Sequence, residues 1–497
     1  MPLLKDYLTR YGRGALIALA VIVCAGFLVR AWVVVNPLEE PGDDALAYRA
    51  LAEALYVDGT FGYQEGGSGP VFKTPSDWSP GAPLVYAASY YLTGGVRDGV
   101  ARGVEALFGT AAILLAFLLT ARLLGPPGHP NSPRSRKSPH GTENPDLTEI
   151  RPGWRGSFAP LTAAALVAFY PPFIHSTGAL MSEPPAIFML PASVLAFLWA
   201  DRRLRTEGDS SWSRIWPWLI PGLGFGLTAL IRPEYLTVCA AFTLFLLIRA
   251  WLKSGPNLAL ASSVLFVAAA LVPIVPWTIH NYHELDRVVP VSTGSGKALF
   301  TGTYYPGDGE YQQVKAELLY EQTGERLDPG SRELEEVDPV PLFDRVAEEY
   351  KEENNLPDLN RDAALGRLGK ENFEKYFKED PVGYVGMTFR KVGRMWGSGI
   401  GEALSSPVGR AIQILLVLAG LAGLALLAWR RRWEAIAVGL PIATVTAVAA
   451  LTLAPPRRNE ILMMLVLPLA AVALDALVNR ESKDAGTETS PTASPNP

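Results

Sequence analysis

Ten separated stretches of predominantly apolar residues govern what this chain can become. They lie near residues 14–35, 101–124, 157–175, 179–200, 215–231, 234–251, 258–279, 408–429, 434–453 and 460–478. A helix needs about 20 such residues to cross the hydrocarbon core of a bilayer, and helices satisfy their own backbone amides there. The expected fold is therefore an all-α polytopic membrane protein with about ten transmembrane helices. Only 49% of the 497 residues are hydrophobic, so a soluble part must accompany the spans. A net charge of -5 spread over this length leaves no polybasic surface and excludes a nucleic-acid partner. Cys24 and Cys239 both stand inside apolar runs, so neither a disulfide framework nor a thiolate metal site is expected, and each reads as a small buried hydrophobe.

Basic residues orient the spans. Lys5, Arg10 and Arg13 precede the first run, which is too long for a signal h-region and is closed by no small-residue cleavage site. It reads as a retained signal anchor with a cytoplasmic N-terminus. Arg122, Arg134, Arg136, Lys137, Arg151 and Arg155, then Arg202, Arg203 and Arg205, then Arg249 and Lys253, then Arg430, Arg431 and Arg432 fall on that same side. Segments 36–100 and 280–407 therefore face outward. The expected organisation is an N-terminal membrane domain over 1–279, an extracytoplasmic soluble domain over 280–407, C-terminal transmembrane helices over 408–480 and a tail over 481–497. The linker 125–156 is rich in Pro, Ser, Gly and Asn and the tail in Ser, Thr and Pro, so both are expected to be disordered and cytoplasmic. In the outward segment "VPLFDRVAEEYKEE" and "AALGRLGKENFEKYF" carry apolar residues at helical spacing. "PVGYVGMTFRKVGRMW" reads as a helix lying in the interface, its cations near lipid phosphates.

Charged residues at the outward ends of the spans are the candidates for chemistry. Asp43 and Asp44 follow the first span. One acid is explained as an N-cap, two are not, and Asp44, Tyr48, Leu51 and Leu55 recur at helical spacing, which turns Asp44 toward the membrane portion. Glu183 opens the fourth span and reads either as a helix start with its prolines in the first turn or as a functional acid. Arg232 with Glu234, and Arg457 with Arg458, stand in tight outward turns against the positive-inside tendency. Each needs an anionic partner, a carboxylate or a phosphate held bidentately. "STGSGK" lacks the order of a phosphate loop, but its amides and Lys297 could cradle one phosphate. His280 and His283 are three apart without further ligands, so no metal site is expected. Trp78 leads into an aromatic-rich helix whose rings suit headgroup anchoring or stacking on a sugar.

Taken in order, "GDDALAYRALAEAL", "PSDWSPGAPLVYAASYYLTG", "LMSEPPAIF", "LIRPEYL", "PWTIHNYHELDRVVPVSTGSGKALFTGT", "KEDPVGYVGMTFRKVGRMW" and "PPRRNEILMMLVLPLAA" resemble the GT-C superfamily of integral-membrane glycosyltransferases. The resemblance is to bacterial relatives of protein O-mannosyltransferases and of the aminoarabinose transferase that acts on lipid A. It spans nearly the whole chain apart from the linker and tail, and it rests on the ordered set rather than on one motif. It implies a polyprenyl-phosphate-linked sugar as donor, a lipid, glycan or protein as acceptor, and a catalytic acid in the first outward loop shortly before a Tyr. That places the base on Asp44 or Asp43, with Glu183 as a second acid. Arg232, Lys297, Arg457 and Arg458 become candidates for the donor phosphate, and Tyr48, Trp78, His280 and Asn281 for substrate contacts. Two departures stand out. His280 occupies the place of an Arg, and Arg457-Arg458-Asn459 replaces an Arg-Tyr pattern.

The expected activity is transfer of a hexosyl or pentosyl group to an extracytoplasmic acceptor, with inversion, at the outer face of the cytoplasmic membrane. A phosphate leaving group needs charge neutralisation and the acceptor hydroxyl needs a base, so no cofactor is expected, although Asp43 and Asp44 could hold a divalent cation through their oxygens. The competing reading is a secondary transporter, which predicts ionisable residues at mid-span and an internal repeat; neither is found. A lipid-phosphate phosphatase would need a nucleophile that no Ser-Gly-His segment supplies.

Overall fold

A computed structural model describes residues 11–38, 42–62, 78–125, 158–204, 211–399, 404 and 406–487. The linker expected to be disordered lies outside them from residue 126 onward, as does the tail beyond Thr487. The described residues form helices and turns without strands. In chain order the helices are α1 Arg13–Val35, α2 Asp43–Val57, α3 Gly81–Thr93, α4 Asp98–Leu124, α5 Phe158–Phe169, α6 Pro171–His175, α7 Glu183–Arg203, α8 Ser211–Ile231, α9 Tyr235–Ser254 and α10 Pro256–Leu285. They continue with α11 Ser295–Thr303, α12 Tyr311–Thr323, α13 Arg332–Glu336, α14 Pro339–Glu353, α15 Arg361–Glu379, α16 Pro381–Gly397, α17 Pro407–Trp429, α18 Glu434–Leu451 and α19 Arg457–Thr487.

Among the described residues nine helices are long and apolar enough to cross a membrane: α1, α4, α7, α8, α9, α10, α17, α18 and the Arg457–Val478 part of α19. The chain is a multi-pass membrane protein. The expected count of about ten stands beside nine such helices among the described residues; at 157–175 these residues form the shorter apolar α5, 12 residues from Phe158 to Phe169. Hydropathy registers apolar content there but not the break that Pro171 and Pro172 impose. Neither proline can donate the amide hydrogen that continues the ladder, so the carbonyls of Val167 and Ala168 lose their partners.

Arg30, near the C-terminal end of the first apolar run, takes up those carbonyls. Its guanidinium donates to Ala168 O at 3.0 Å, to Val167 O at 3.2 Å and to Gly26 O at 3.1 Å. The side chain is fully buried beside Gly109, where an added Cβ would stand 2.5 Å from Arg30 Nε. An arginine in a membrane helix is costly unless its donors are met inside the bundle. Here one buried cation answers the broken helix through Nη1 and Nη2.

Small residues let the long helices approach closely, as expected where lipid removes the hydrophobic drive between helices. Gly222 and Gly226 of α8 face α10 so tightly that a Cβ would meet Phe266 O at 2.3 Å and Ala270 O at 2.2 Å. Phe197, Phe225, Phe242 and Phe266 fill the space alongside.

Outside the bundle, α11 to α15 enclose a second core of Phe300, Val314, Leu319, Phe343, Tyr350 and Leu365. This core is docked onto the turn between α18 and α19. Leu453 N donates to Ala298 O at 2.9 Å, and Lys391 of α16 donates to Gly302 O at 2.7 Å. The cations of α16 all bond to protein groups. Arg390 and Arg394 clasp Asp308 at 2.5 and 2.6 Å, while Val382, Val385 and Phe389 form the exposed apolar stripe of that helix. Burial first, then Arg458 and Arg394, push the Lys391 ammonium down to about 8.

Candidate active site

Four helix ends converge at one end of the bundle. They are the starts of α2, α7 and α19 and the turn between α8 and α9. Gly42 stands at the N-cap of α2 and Ser182 at that of α7, and neither caps its helix's amides through a side chain. Asp44 and Glu183 therefore lie inside their helices, and their carboxylates are engaged elsewhere.

Asp44 pairs with Arg457, the first residue of α19. Glu183 Oε1 accepts from Arg232 Nη1 at 2.7 Å, and Glu234 Oε1 accepts from Arg232 Nε at 2.9 Å. Ser182 Oγ stands 3.3 Å from the same Arg232 Nη1. One guanidinium thus joins the start of α7 to the turn that opens α9. Glu183 is 1% exposed, so this pair is protected from solvent screening and is stronger than a surface pair. The Asp44 and Arg457 side chains are 29% and 40% exposed, which leaves them reachable. Burial raises the Glu234 carboxyl, but Arg232 and Arg458 outweigh it and hold the group down to about 2.

Tyr48 stands one turn beyond Asp44 and faces Ser182, Arg232 and Glu183. Burial pushes its hydroxyl up to about 12. Its ring meets Trp78 edge to face at 5.2 Å between centroids, which sets an aromatic wall beside the two acids. Leu51, on the same face of α2, is fully buried, as the helical spacing requires. The side chain of Asp43 lies outside the described residues, so α2 contributes Asp44 alone to the geometry.

Arg458 is committed to Thr452 Oγ1 at 3.0 Å and Leu453 O at 2.5 Å. Arg457, half-exposed and paired with a half-exposed acid, is placed to exchange its partner.

The remaining candidates are placed apart from this cluster. Lys297 lies over the rings of Tyr311 and Phe343 at 5.2 and 4.7 Å. The amides of Gly296 and Lys297 donate to Asp362 Oδ1 at 2.9 and 3.2 Å, so an internal carboxylate occupies the place proposed for a phosphate. Asn281 donates to Val289 O and Val291 O and fixes the turn after α10. His280 packs 4.7 Å from the Trp277 ring, with Phe61 completing that group.

Three further buried residues at this end are not among the site candidates that the sequence marks, although Asn459 stands in one of its two departures from the family pattern. Glu105 of α4 accepts the amides of Gly178, Leu180 and Met181. Asn459 donates to Met395 O and to Ser398 O and so ties α16 to α19. Glu460 is 1% exposed, neither of its oxygens has a hydrogen-bond partner among the described residues, and Glu183 and Arg232 act on it electrostatically. Each sits in or beside an apolar run and acquires its neighbours only through the packing of distant helices. Among the described residues no group of three or more His, Cys, Asp or Glu side chains could hold a metal ion.

Residues 151–285, which carry Glu183 and Arg232, match the family model of the dolichyl-phosphate-mannose-protein mannosyltransferases. No curated protein matches the sequence. Among solved structures, the apo oligosaccharyltransferase of Archaeoglobus fulgidus superposes with a TM-score of 0.52 at 14% identity, over 97% of this chain and 52% of that one. The same enzyme tethered with an acceptor peptide containing the NVT sequon gives 0.51 at 15% identity, over 96% and 51%. ArnT from Cupriavidus metallidurans bound to undecaprenyl phosphate matches over 96% of this chain and 81% of that one, at 13% identity and a TM-score of 0.36. The chain spans about half the length of the oligosaccharyltransferase. The resemblance seen in the sequence holds at the level of architecture: the chain has the GT-C fold.

Proposed function

We propose that this chain is a membrane glycosyltransferase that moves a sugar from a polyprenyl-phosphate donor to an acceptor hydroxyl. The observation that carries the proposal is the reachable Asp44–Arg457 pair beside the buried Glu183–Arg232–Glu234 chain. The family model matched by residues 151–285 is named for a dolichyl-phosphate sugar donor, which supports the donor class. The distribution of Lys and Arg supports a site on the outer side of the cytoplasmic membrane. A lipid, glycan or protein on that side is the acceptor, and a hexose or pentose is the group transferred.

The chemistry is governed by charge. Arg457 neutralises Asp44 while the site is free of donor. A donor phosphate competes for that guanidinium, and the carboxylate it releases becomes the base. Asp44 takes the acceptor O–H proton as the acceptor oxygen forms its bond to the anomeric carbon. The bond from that carbon to the phosphate oxygen breaks, its electron pair leaves with the polyprenyl phosphate, and Arg457 meets the charge. Attack in line inverts the anomeric centre. Glu183, Arg232 and Glu234 hold the ends of α7 and α9 in place around the reacting groups, with Tyr48 and Trp78 as a wall for the sugar. Arg458 and Lys297 serve structure. Because guanidinium supplies the positive charge, the scheme needs no metal, and added EDTA should leave the rate unchanged.

The test is transfer by the full chain reconstituted in vesicles, with a panel of labelled polyprenyl-phosphate sugars and analysis of the labelled product. Wild-type chain should form glycoside, and the Asp43→Ala/Asp44→Ala double variant, shown to be folded, should form none. Full activity in that variant refutes the proposal. Substrate uptake into the vesicles without any transfer would replace it with the transporter reading.

A further inference from the structure

We infer that Glu105 is a positioning residue for this site: a buried acceptor that holds the turn leading into Glu183. The inference rests on the glycosyltransferase reading for its functional consequence, but its structural part stands without it. Glu105 lies near the start of α4 and is fully buried. Its Oε2 accepts from Gly178 N at 2.8 Å and from Leu180 N at 3.3 Å, and its Oε1 from Met181 N at 3.0 Å. The Tyr86 hydroxyl stands 2.6 Å from the same Oε1 and 2.5 Å from Met181 O.

A turn whose successive amides converge on one point is an anion-binding concavity. This one is filled from within. Gly178 has φ +107 and Leu180 has φ +53, a left-handed conformation that leucine adopts only where its surroundings impose it. Leu180 is 1% exposed and packs with Tyr48, Tyr86 and Tyr90. The carboxylate supplies the hydrogen bonds and the packed rings the space, and together they fix this turn.

The turn leads straight into the site. Ser182 and Glu183 come next in the chain, and Arg232 bonds to both. A shift of about 1 Å in a group that positions others is enough to cost a large factor in rate. Glu105 touches no reacting atom, so its effect passes through the turn.

Replacing it with an isostere separates positioning from mere stability. Gln offers one acceptor oxygen and one NH2, so in Glu105→Gln one set of amides would face a donor. Hydrogen exchange on the full chain in nanodiscs should show the 176–183 segment opening at least about tenfold faster, with α9, α10 and α19 unchanged. Tyr86→Phe removes one donor and leaves three amides, so it should give a smaller acceleration confined to the same segment. With radiolabelled polyprenyl-phosphate mannose as donor, Glu105→Gln should lower kcat by about tenfold to a hundredfold while donor KM stays within about threefold.

Unchanged exchange at 176–183 in both variants overturns the inference. So does equal acceleration throughout the bundle, which would mark Glu105 as a general stabiliser, and so does local opening with unaltered kcat. If wild-type chain transfers no mannose from this donor, that result counts against the proposed function, while the exchange pattern still decides whether Glu105 holds the turn.

Discussion

The two ends of the helical bundle both carry buried ion pairs, and they are wired differently. At the end opposite the site, Asp201 of α7 receives Arg249 of α9 in two parallel bonds of 2.5 and 2.9 Å. The guanidinium also lies 3.5 Å over the Trp433 ring. Glu434 of α18 receives Arg122 at 2.8 Å and Arg432 at 3.2 Å. At the site end one guanidinium is shared by Glu183 and Glu234, a second pair is half-exposed, and Glu460 has no ion-pair partner among the described residues. The first end is a set of closed staples. The second leaves Asp44 and Arg457 part-exposed, and it is to that pair that the proposed function assigns the chemistry.

The comparison breaks most sharply on activity. Asp44→Asn should lower transfer by about 10²- to 10⁴-fold without loss of folded protein, and Asp201→Asn should leave kcat unchanged; equal losses in both would erase the distinction. On stability the order reverses. Arg249→Ala removes both forked bonds to the buried Asp201 and should cost about 3 kcal/mol, read as a lower denaturation midpoint in nanodiscs. The double variant Asp201→Leu/Arg249→Met should recover most of that loss; failure to recover would show that the staple does more than cancel charge.

A smaller effect should separate Arg457 from Arg232. Arg457→Lys keeps the charge but loses the forked geometry, so donor KM should rise by about tenfold with kcat less affected. The site end should also be the more sensitive to acid. Glu234 is held at about 2 against an ordinary 4.5. The stability it contributes is therefore full above about pH 4.5 and is lost as pH falls from there toward 2. Glu234→Gln should flatten the acid limb of the stability profile, and an unchanged limb would place the acid sensitivity elsewhere. The least effect belongs to the exposed clamp. Asp308→Ala should cost about 1 kcal/mol or less, although two arginines meet that carboxylate.

Part of the candidate site was legible because its signals are local. Asp44 and Tyr48 are four residues apart on a helix, and outward arginines in tight turns need anions wherever the chain goes. Such arguments say that a partner exists and leave its identity open. Lys297 shows the limit. A Gly-rich loop with a lysine looks like a phosphate cradle until Asp362, far along the chain, fills it. Arg30 and Glu105 show the opposite failure. Each is a charge inside an apolar run, and the groups that meet it are mainly backbone atoms, which carry no sequence signal.

Bilayer thickness and helical rise convert apolar length into a crossing, so the order of residues alone sets where the spans lie, how they alternate and at which end the charged groups collect. Packing chose which charges meet. It closed the break at Pro171 with Arg30, set Arg457 against Asp44 and Glu183 against Arg232, and filled the 178–181 turn with Glu105. Each of those contacts joins helices far apart in the chain, and in a low-dielectric interior a charge must be answered by whatever neighbour packing delivers.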